Sequence, residues 1–352
     1  MTLEETVENE IIKYKKLVES NPSDQESRMM LGMAYGAHGQ YDEAIKELQA
    51  AVKLNPEHAE AHFDLGLVYH MKDMLDEAVK EYRETLRLSP GHLDAQLNLA
   101  NAYLQMENPD DALLIFKDLV KNNPKSSEVF VSFGIALNAA GYLDDSIEEL
   151  KKAIALNDRS YEAHFFLAGS LMDKGEVNDA IKEYRIAATL DLKDPNVFYN
   201  WGIALDEKGL TRDAMDKYRI AIGINPDFVE AHYNLGSLLA DLNMVDEAIV
   251  ELKETIRVDP DFPDAHNKLG IVYNAKGFTK AAIKEFEEAI KLDPDFAVAY
   301  NNLGMVYYGF EQYDDAIKAF EQALKIDPTY LEAQNNLKNA QNKKAVAPYR
   351  VL

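Results

Sequence analysis

A chain of 352 residues with 61 acidic and 37 basic side chains carries a net charge of −24. Acidity of that size repels phosphate backbones and sets nucleic acid aside as a partner. The chain contains no cysteine, so disulfides, thiolate metal sites and cysteine nucleophiles are excluded, as fits a reducing compartment.

The N-terminal MTLEETVENE is acidic and lacks the basic-then-apolar order of a signal peptide, and a cytoplasmic location is expected. Thr2–Ser20 is amphipathic, with Val7, Ile11, Tyr14 and Val18 on one face, and residues 1–24 are read as an N-terminal capping helix. Asn-Pro or Asp-Pro (Ser-Pro at Pro90) recurs at Pro22, Pro56, Pro90, Pro124, Pro226, Pro260, Pro294 and Pro328, always 34 residues or a multiple apart. With that period, nine repeats fill residues 25–330. Each predicts two helices. In the ninth, Tyr300, Leu303 and Tyr307 form one apolar stripe, and Ala316, Phe320 and Ala323 the other.

A turn residue parts the two helices: Gly39, Gly141, Gly175, Gly209 or Gly277, elsewhere Asp73, Glu107, Asn243 or Glu311. Position eight of the repeat is small (Gly32, Gly66, Ala100, Gly134, Ala168, Gly202, Gly236, Gly270, Gly304), which lets two helices approach closely. Position 24 is large, as in Tyr82, Phe116 and Leu252. The repeat-ending proline is replaced by Asp158 and Leu192 in repeats four and five. Residues 331–344 predict a C-terminal capping helix in which Lys338 occupies the small-residue position and stops the stack; 345–352 are read as a flexible tail. The longest uncharged run, Val129–Leu143, is broken by two glycines and is shorter than the roughly 20 apolar residues of a bilayer span.

These residues resemble the tetratricopeptide repeat family, whose pattern is W-x2-L-G-x2-Y, A-x3-F and P over about 34 residues. The segment AYNNLGMVYYGFEQYDDAIKAFEQALKIDP (299–328) is close to it, and the resemblance covers about nine tenths of the chain. It implies an all-α right-handed superhelix, an α-solenoid. Repeats four to seven depart from the pattern with Leu137, Leu171, Leu205 and Leu239 where the family has Tyr.

Catalytic chemistry is not found. NAKGFTKAA (274–282) lacks the core of a phosphate loop. His58 and His62 stand four apart but without a third ligand, and His62, His164, His232 and His266 share position four, one or more repeats apart. Helices spaced by about 8–10 Å cannot share an ion held by bonds of about 2 Å, so position four is read as a half-buried, aromatic-like site. The acids at position two, such as Glu26, Glu60 and Asp94, lie in first turns, where the helix dipole favours them. No cofactor or metal is expected, and the chain is read as no enzyme.

The family's first helices line a concave groove, which by analogy places positions two, five, six, nine, twelve and thirteen inward. Position six carries Asn98, Asn200, Asn234 and Asn302, with Asn336 beyond, and resembles the asparagine ladder of the tetratricopeptide superhelix in O-linked N-acetylglucosamine transferases; their catalytic part has no counterpart here. Carboxamides can grip a partner's peptide groups whatever its side chains. Asp64, Ser132, Phe166 and Lys268 interrupt the row. Asn101, Asn267 and Asn301 join the candidates, as do the aromatic position-five residues Phe63, Phe165, Tyr199 and Tyr233. With Met29, Met33, Leu67 and Met71, the N-terminal half of the groove is expected to be apolar. Lys268 is the one basic residue expected there, which disfavours acidic chaperone tails; Asp173, Asp206, Glu207 and Asp241 offer a seat for basic side chains. The expected function is a non-catalytic scaffold that clasps an extended protein or peptide segment. A self-assembling coat, by analogy with magnetosome-associated members, and a non-catalytic subunit of an enzyme complex are the alternatives. Membrane insertion is not expected.

Overall fold

The computed structural model describes the backbone of residues 3–346 and the side chains of 8–345. Among them every regular element is an α-helix, and the chain divides into two units, Met1–Leu190 and Asp191–Leu352. The division falls beside Leu192, the position where the fifth repeat lacks its proline.

The first unit opens with α1 (Leu3–Ser20) and continues as five hairpins: α2 (Gln25–Ala37) with α3 (Tyr41–Leu54), α4 (Ala59–Met71) with α5 (Leu75–Leu88), α6 (Leu93–Gln105) with α7 (Pro109–Asn122), α8 (Ser127–Ala139) with α9 (Leu143–Leu156), and α10 (Tyr161–Asp173) with α11 (Val177–Leu190). The second unit holds four: α12 (Pro195–Glu207) with α13 (Thr211–Ile224), α14 (Val229–Asp241) with α15 (Val245–Val258), α16 (Pro263–Ala275) with α17 (Thr279–Leu292), and α18 (Ala297–Gly309) with α19 (Tyr313–Ile326); α20 (Leu331–Val346) follows. Within each unit a helix packs on its neighbours in sequence, so each unit is an α-solenoid whose core is a row of hairpin interiors. In α1, Val18 is buried and Ile11 and Tyr14 are half-buried against α2. The side chain of Val7 lies outside the described residues. So does the expected tail from residue 347 on; α20 itself runs two residues past the expected end at 344.

Sequence dictates both ends of each helix. All nine turns between paired helices place one residue at φ of 54° to 82°, including the non-glycines Asp73, Glu107, Asn243 and Glu311. This left-handed residue ends the first helix, which glycine does without steric cost. At the start of the first helices, Asp24, His58, His92, Ser126, Ser160 and Asp194 accept a backbone N–H through their side chains. At α14 and α16 this position becomes Phe228 and Phe262, which instead pack their rings on Tyr199 and Tyr233, centroids 4.9 and 5.0 Å apart.

Each hairpin closes where its small residue meets its large one. A Cβ on Gly66 would stand 2.7 Å from Tyr82 Cε1, and one on Gly202 2.5 Å from Tyr218 Cε1. The large residues Leu48, Tyr82, Phe116, Leu150, Leu252, Phe286 and Phe320 are fully or almost fully buried there.

Candidate functional site

The histidines at position four are buried, 5–7 % exposed, and polar in role, which corrects the half-buried, aromatic-like reading. His62 places Nδ1 2.6 Å from Glu81 Oε2 and Nε2 3.0 Å from the carbonyl of Pro56. His164 makes the same pair of contacts with Glu183 and Asp158, His232 with Glu251 and Pro226, and His266 with Glu285 and Pro260. A ring nitrogen facing a carbonyl must donate, and so must one facing a carboxylate, so the arrangement suits the doubly protonated imidazolium. The Glu251 and Glu285 bonds accordingly raise His232 and His266 above the ordinary histidine value. Arg28 does the same work for the first hairpin, bonding Glu47 and the Pro22 carbonyl, while Gln96 and Gln334 keep only the carbonyl bond. Each donor thus ties its helix to the preceding loop, and the basic ones also tie it to their own hairpin partner. His58, meanwhile, caps α4 by accepting from the Ala61 N–H at 3.2 Å. No group of three or more ligating side chains suited to a metal ion occurs among the described residues.

On the first-helix face of the first unit, Phe63 is buried and its ring lies 4.6 Å from His92; Met29 and Val131 are buried as well. Phe63 thus fills the seam toward α6, and with Met29 buried too the expected apolar groove wall narrows to half-buried Met33, Leu67 and Leu97 with exposed Met71, while Val131 lines a cleft with Ile135 and Phe166. Phe165 is half-buried, stacked on Tyr161 and edge-on to Tyr184. Asn98 donates to the Asp94 carbonyl of its own helix at 2.9 Å, and Asn101 is exposed. Burial, with Glu60 and Glu26 adding to it, pushes the Asp64 carboxyl up to about 7. Asp173 is exposed and accepts from Asn138 at 2.8 Å.

The second unit gathers more of the candidates. Ile203, Asp206 and Glu207 on α12, Tyr233, Asn234, Leu238 and Asp241 on α14, and Lys268 on α16 surround a cleft of about 510 Å³ with Tyr218 at its base. Lys268 Nζ stands 3.0 Å from Asp241 Oδ1. Asp206 is raised by desolvation and then by Asp241. Asn200 donates to the Asn196 carbonyl at 2.9 Å, and Asn234 to Tyr199 Oη at 3.3 Å.

Farther along, the asparagines bond one another. Asn302 donates to Asn267 Oδ1 and Asn336 to Asn301 Oδ1, each at 2.9 Å. Asn301 is fully buried and Asn267 nearly so, which removes both from an open surface; they join successive first helices. The bonds link position five of one repeat to position six of the next, 35 residues on, as Tyr199–Asn234 does too, a pairing that the 34-residue period does not reveal.

Fold and site define a helical-repeat protein of the solenoid class. The chain belongs to the tetratricopeptide repeat family: the family model described as the Cilia and flagella-associated protein 70 C-terminal domain, a tetratricopeptide type, matches residues 58–267. Further models of the repeat match 13–46, 32–73, 272–309 and 297–330. No curated protein matches the chain. Among solved structures, a chain of the APC/C hetero-tetramer Cut9–Hcn1 is 15% identical, with 90% of this chain and 76% of that one covered and a TM-score of 0.54. PilF of Pseudomonas aeruginosa is 19% identical over 61% of this chain and 97% of its own, with a TM-score of 0.52. YrrB, described as a TPR protein with an unusual peptide-binding site, is 22% identical over 52% and 95%, with a TM-score of 0.47. The first two share the fold. Among the described residues no helix is long and apolar enough to cross a membrane.

Proposed function

We propose that this chain is a non-catalytic scaffold whose second unit clasps an extended segment of another protein carrying Lys or Arg. The cleft bounded by Asp206, Glu207, Tyr233, Asn234 and Asp241 carries this reading. It sets three carboxylates beside aromatic rings with Lys268 as their sole basic neighbour in the lining. The Lys268–Asp241 pair is partly exposed and worth about 0–1 kcal/mol, so a partner's cation can displace it at little cost. A positive side chain would also relieve the mutual repulsion of Asp206 and Asp241. Asn200 and Asn234 each already hold an intramolecular acceptor. Exchanging those bonds for a partner's peptide groups keeps the amide satisfied and adds a backbone grip indifferent to sequence.

An array of extended peptides, matched except for one Lys, Arg, Glu or Leu, tests this. Retention of the Lys and Arg members, weakening from about 50 to 500 mM salt, is the expected result. Retention without regard to charge would overturn it.

A further inference from the structure

A second surface lies on the second-helix face of the first unit. Helices α7 and α9 flank a cleft of about 740 Å³ whose floor is α8, with the buried side chains of Leu113, Phe133 and Leu137 at its base. That volume falls within the roughly 300–1,000 Å³ of ordinary ligand pockets. At its mouth stand two large apolar side chains turned to solvent, Leu114 at 62% exposure and Tyr142 at 51%. The same position is charged in seven of the other eight repeats (Lys46, Lys80, Glu148, Lys182, Asp216, Lys284 and Lys318) and apolar only in Val250 besides Leu114.

The wall of the cleft carries a carboxylate whose usual partner is missing. Glu149 is the repeat equivalent of Glu81, Glu183, Glu251 and Glu285, each bonded by a position-four histidine. In this hairpin position four is Phe130. Glu149 Oε1 accepts from Lys152 at 2.9 Å, while Oε2 is buried with no hydrogen-bond partner among the described residues. Asp110, Asp111 and Asp145 complete an acidic rim in which Lys117 is the single base. A buried carboxylate oxygen beside apolar surface is costly unpaired, and a cation reaching it there gains more than at an open surface.

We propose that this cleft docks a segment of another protein that lays apolar side chains over Leu114 and Tyr142 and sets a Lys or Arg against Glu149. The apolar mouth and the acidic wall together select the partner: an acidic segment is repelled, and a purely basic one leaves Leu114 and Tyr142 uncovered. The site is independent of the cleft in the second unit.

A phage-displayed dodecapeptide library selected on the full chain, with excess Leu114→Asp chain as soluble competitor, tests the docking. Leu114 is exposed, so that variant keeps the fold. Enriched peptides should pair Lys or Arg with Leu, Phe or Trp. They should lose at least tenfold in affinity for Glu149→Gln, and less than twofold for Asp206→Lys with Glu207→Lys. No enrichment, enriched peptides without a basic residue, or equal affinity for Glu149→Gln would overturn the proposal. Light scattering adds a further check: if mass doubles with concentration for the wild type but not for Leu114→Asp, the occupant is a second copy and the proposal fails.

Discussion

Gly236 lies directly against Leu252: a Cβ at position 236 would stand 2.9 Å from Leu252 Cγ and 3.3 Å from Glu251 Cβ. Sixteen residues apart in sequence, they set the distance between α14 and α15. Gly236→Leu should therefore cost about 1–3 kcal/mol by overpacking. Gly236→Ala should be close to neutral, because Ala100 and Ala168 occupy the same position opposite Phe116 and Tyr184, and alanine favours helix over glycine by about 1 kcal/mol. Urea denaturation of the two variants checks this. Equal stability for wild type and the leucine variant would show that the two helices are not held at this contact.

The histidine ties make stability depend on pH in a definite direction. His232 and His266 are raised above the ordinary histidine value, first by their Glu251 and Glu285 bonds. Their contribution is thus complete below the unfolded value of about 6.5 and is lost as pH rises through the folded value. His266→Gln keeps the bond to the Pro260 carbonyl, as Gln96 does to Pro90, but gives up the charge on Glu285. The variant should be less stable than wild type at pH 5.5, with the gap narrowing by pH 9. Unfolding midpoints at the two pH values measure it; a gap that does not change with pH would mean the ring acts as a neutral donor.

Asp64 works against the fold at alkaline pH. Burial and its neighbours Glu60 and Glu26 lift its pKa to about 7, so it is protonated in the folded chain where the unfolded chain is already ionised. Stability from this group falls as pH rises from its unfolded value near 4 to about 7, and stays low above. Asp64→Asn should melt higher than wild type at pH 8 and nearly alike at pH 4. Calorimetry that found the variant no more stable at pH 8 would remove the burial cost assigned to this carboxylate.

The repeat itself was legible because its signals are local. Pro56, Gly66, Gly141 and Tyr82 each act through their own backbone or hairpin, so a fixed period exposes them. The site was less so, because its bonds cross repeats or helices at spacings the 34-residue period hides. His62–Glu81 is separated by 19 residues and Asn267–Asn302 by 35. A scan for Glu at 19 after each position-four His would have found the ties, and also their failures: Phe130 leaves Glu149 without one, and Phe198 is matched by Lys217, which lies 4.2 Å over the Trp201 ring instead. Asn301 and Phe63 read as groove residues because first-helix periodicity does not distinguish a residue facing the groove from one filling the seam between hairpins.

The claim that the second unit selects basic segments through Asp206, Glu207 and Asp241 is tested most directly by a charge exchange. Affinities of one peptide pair, identical but for Lys or Glu at a single position, are measured for the wild type and for Asp206→Lys with Glu207→Lys, with circular dichroism confirming equal helicity. The account predicts that the wild type prefers the Lys peptide and that the variant reverses the preference, both effects shrinking as salt rises. An unchanged preference in a variant of equal helicity would contradict it.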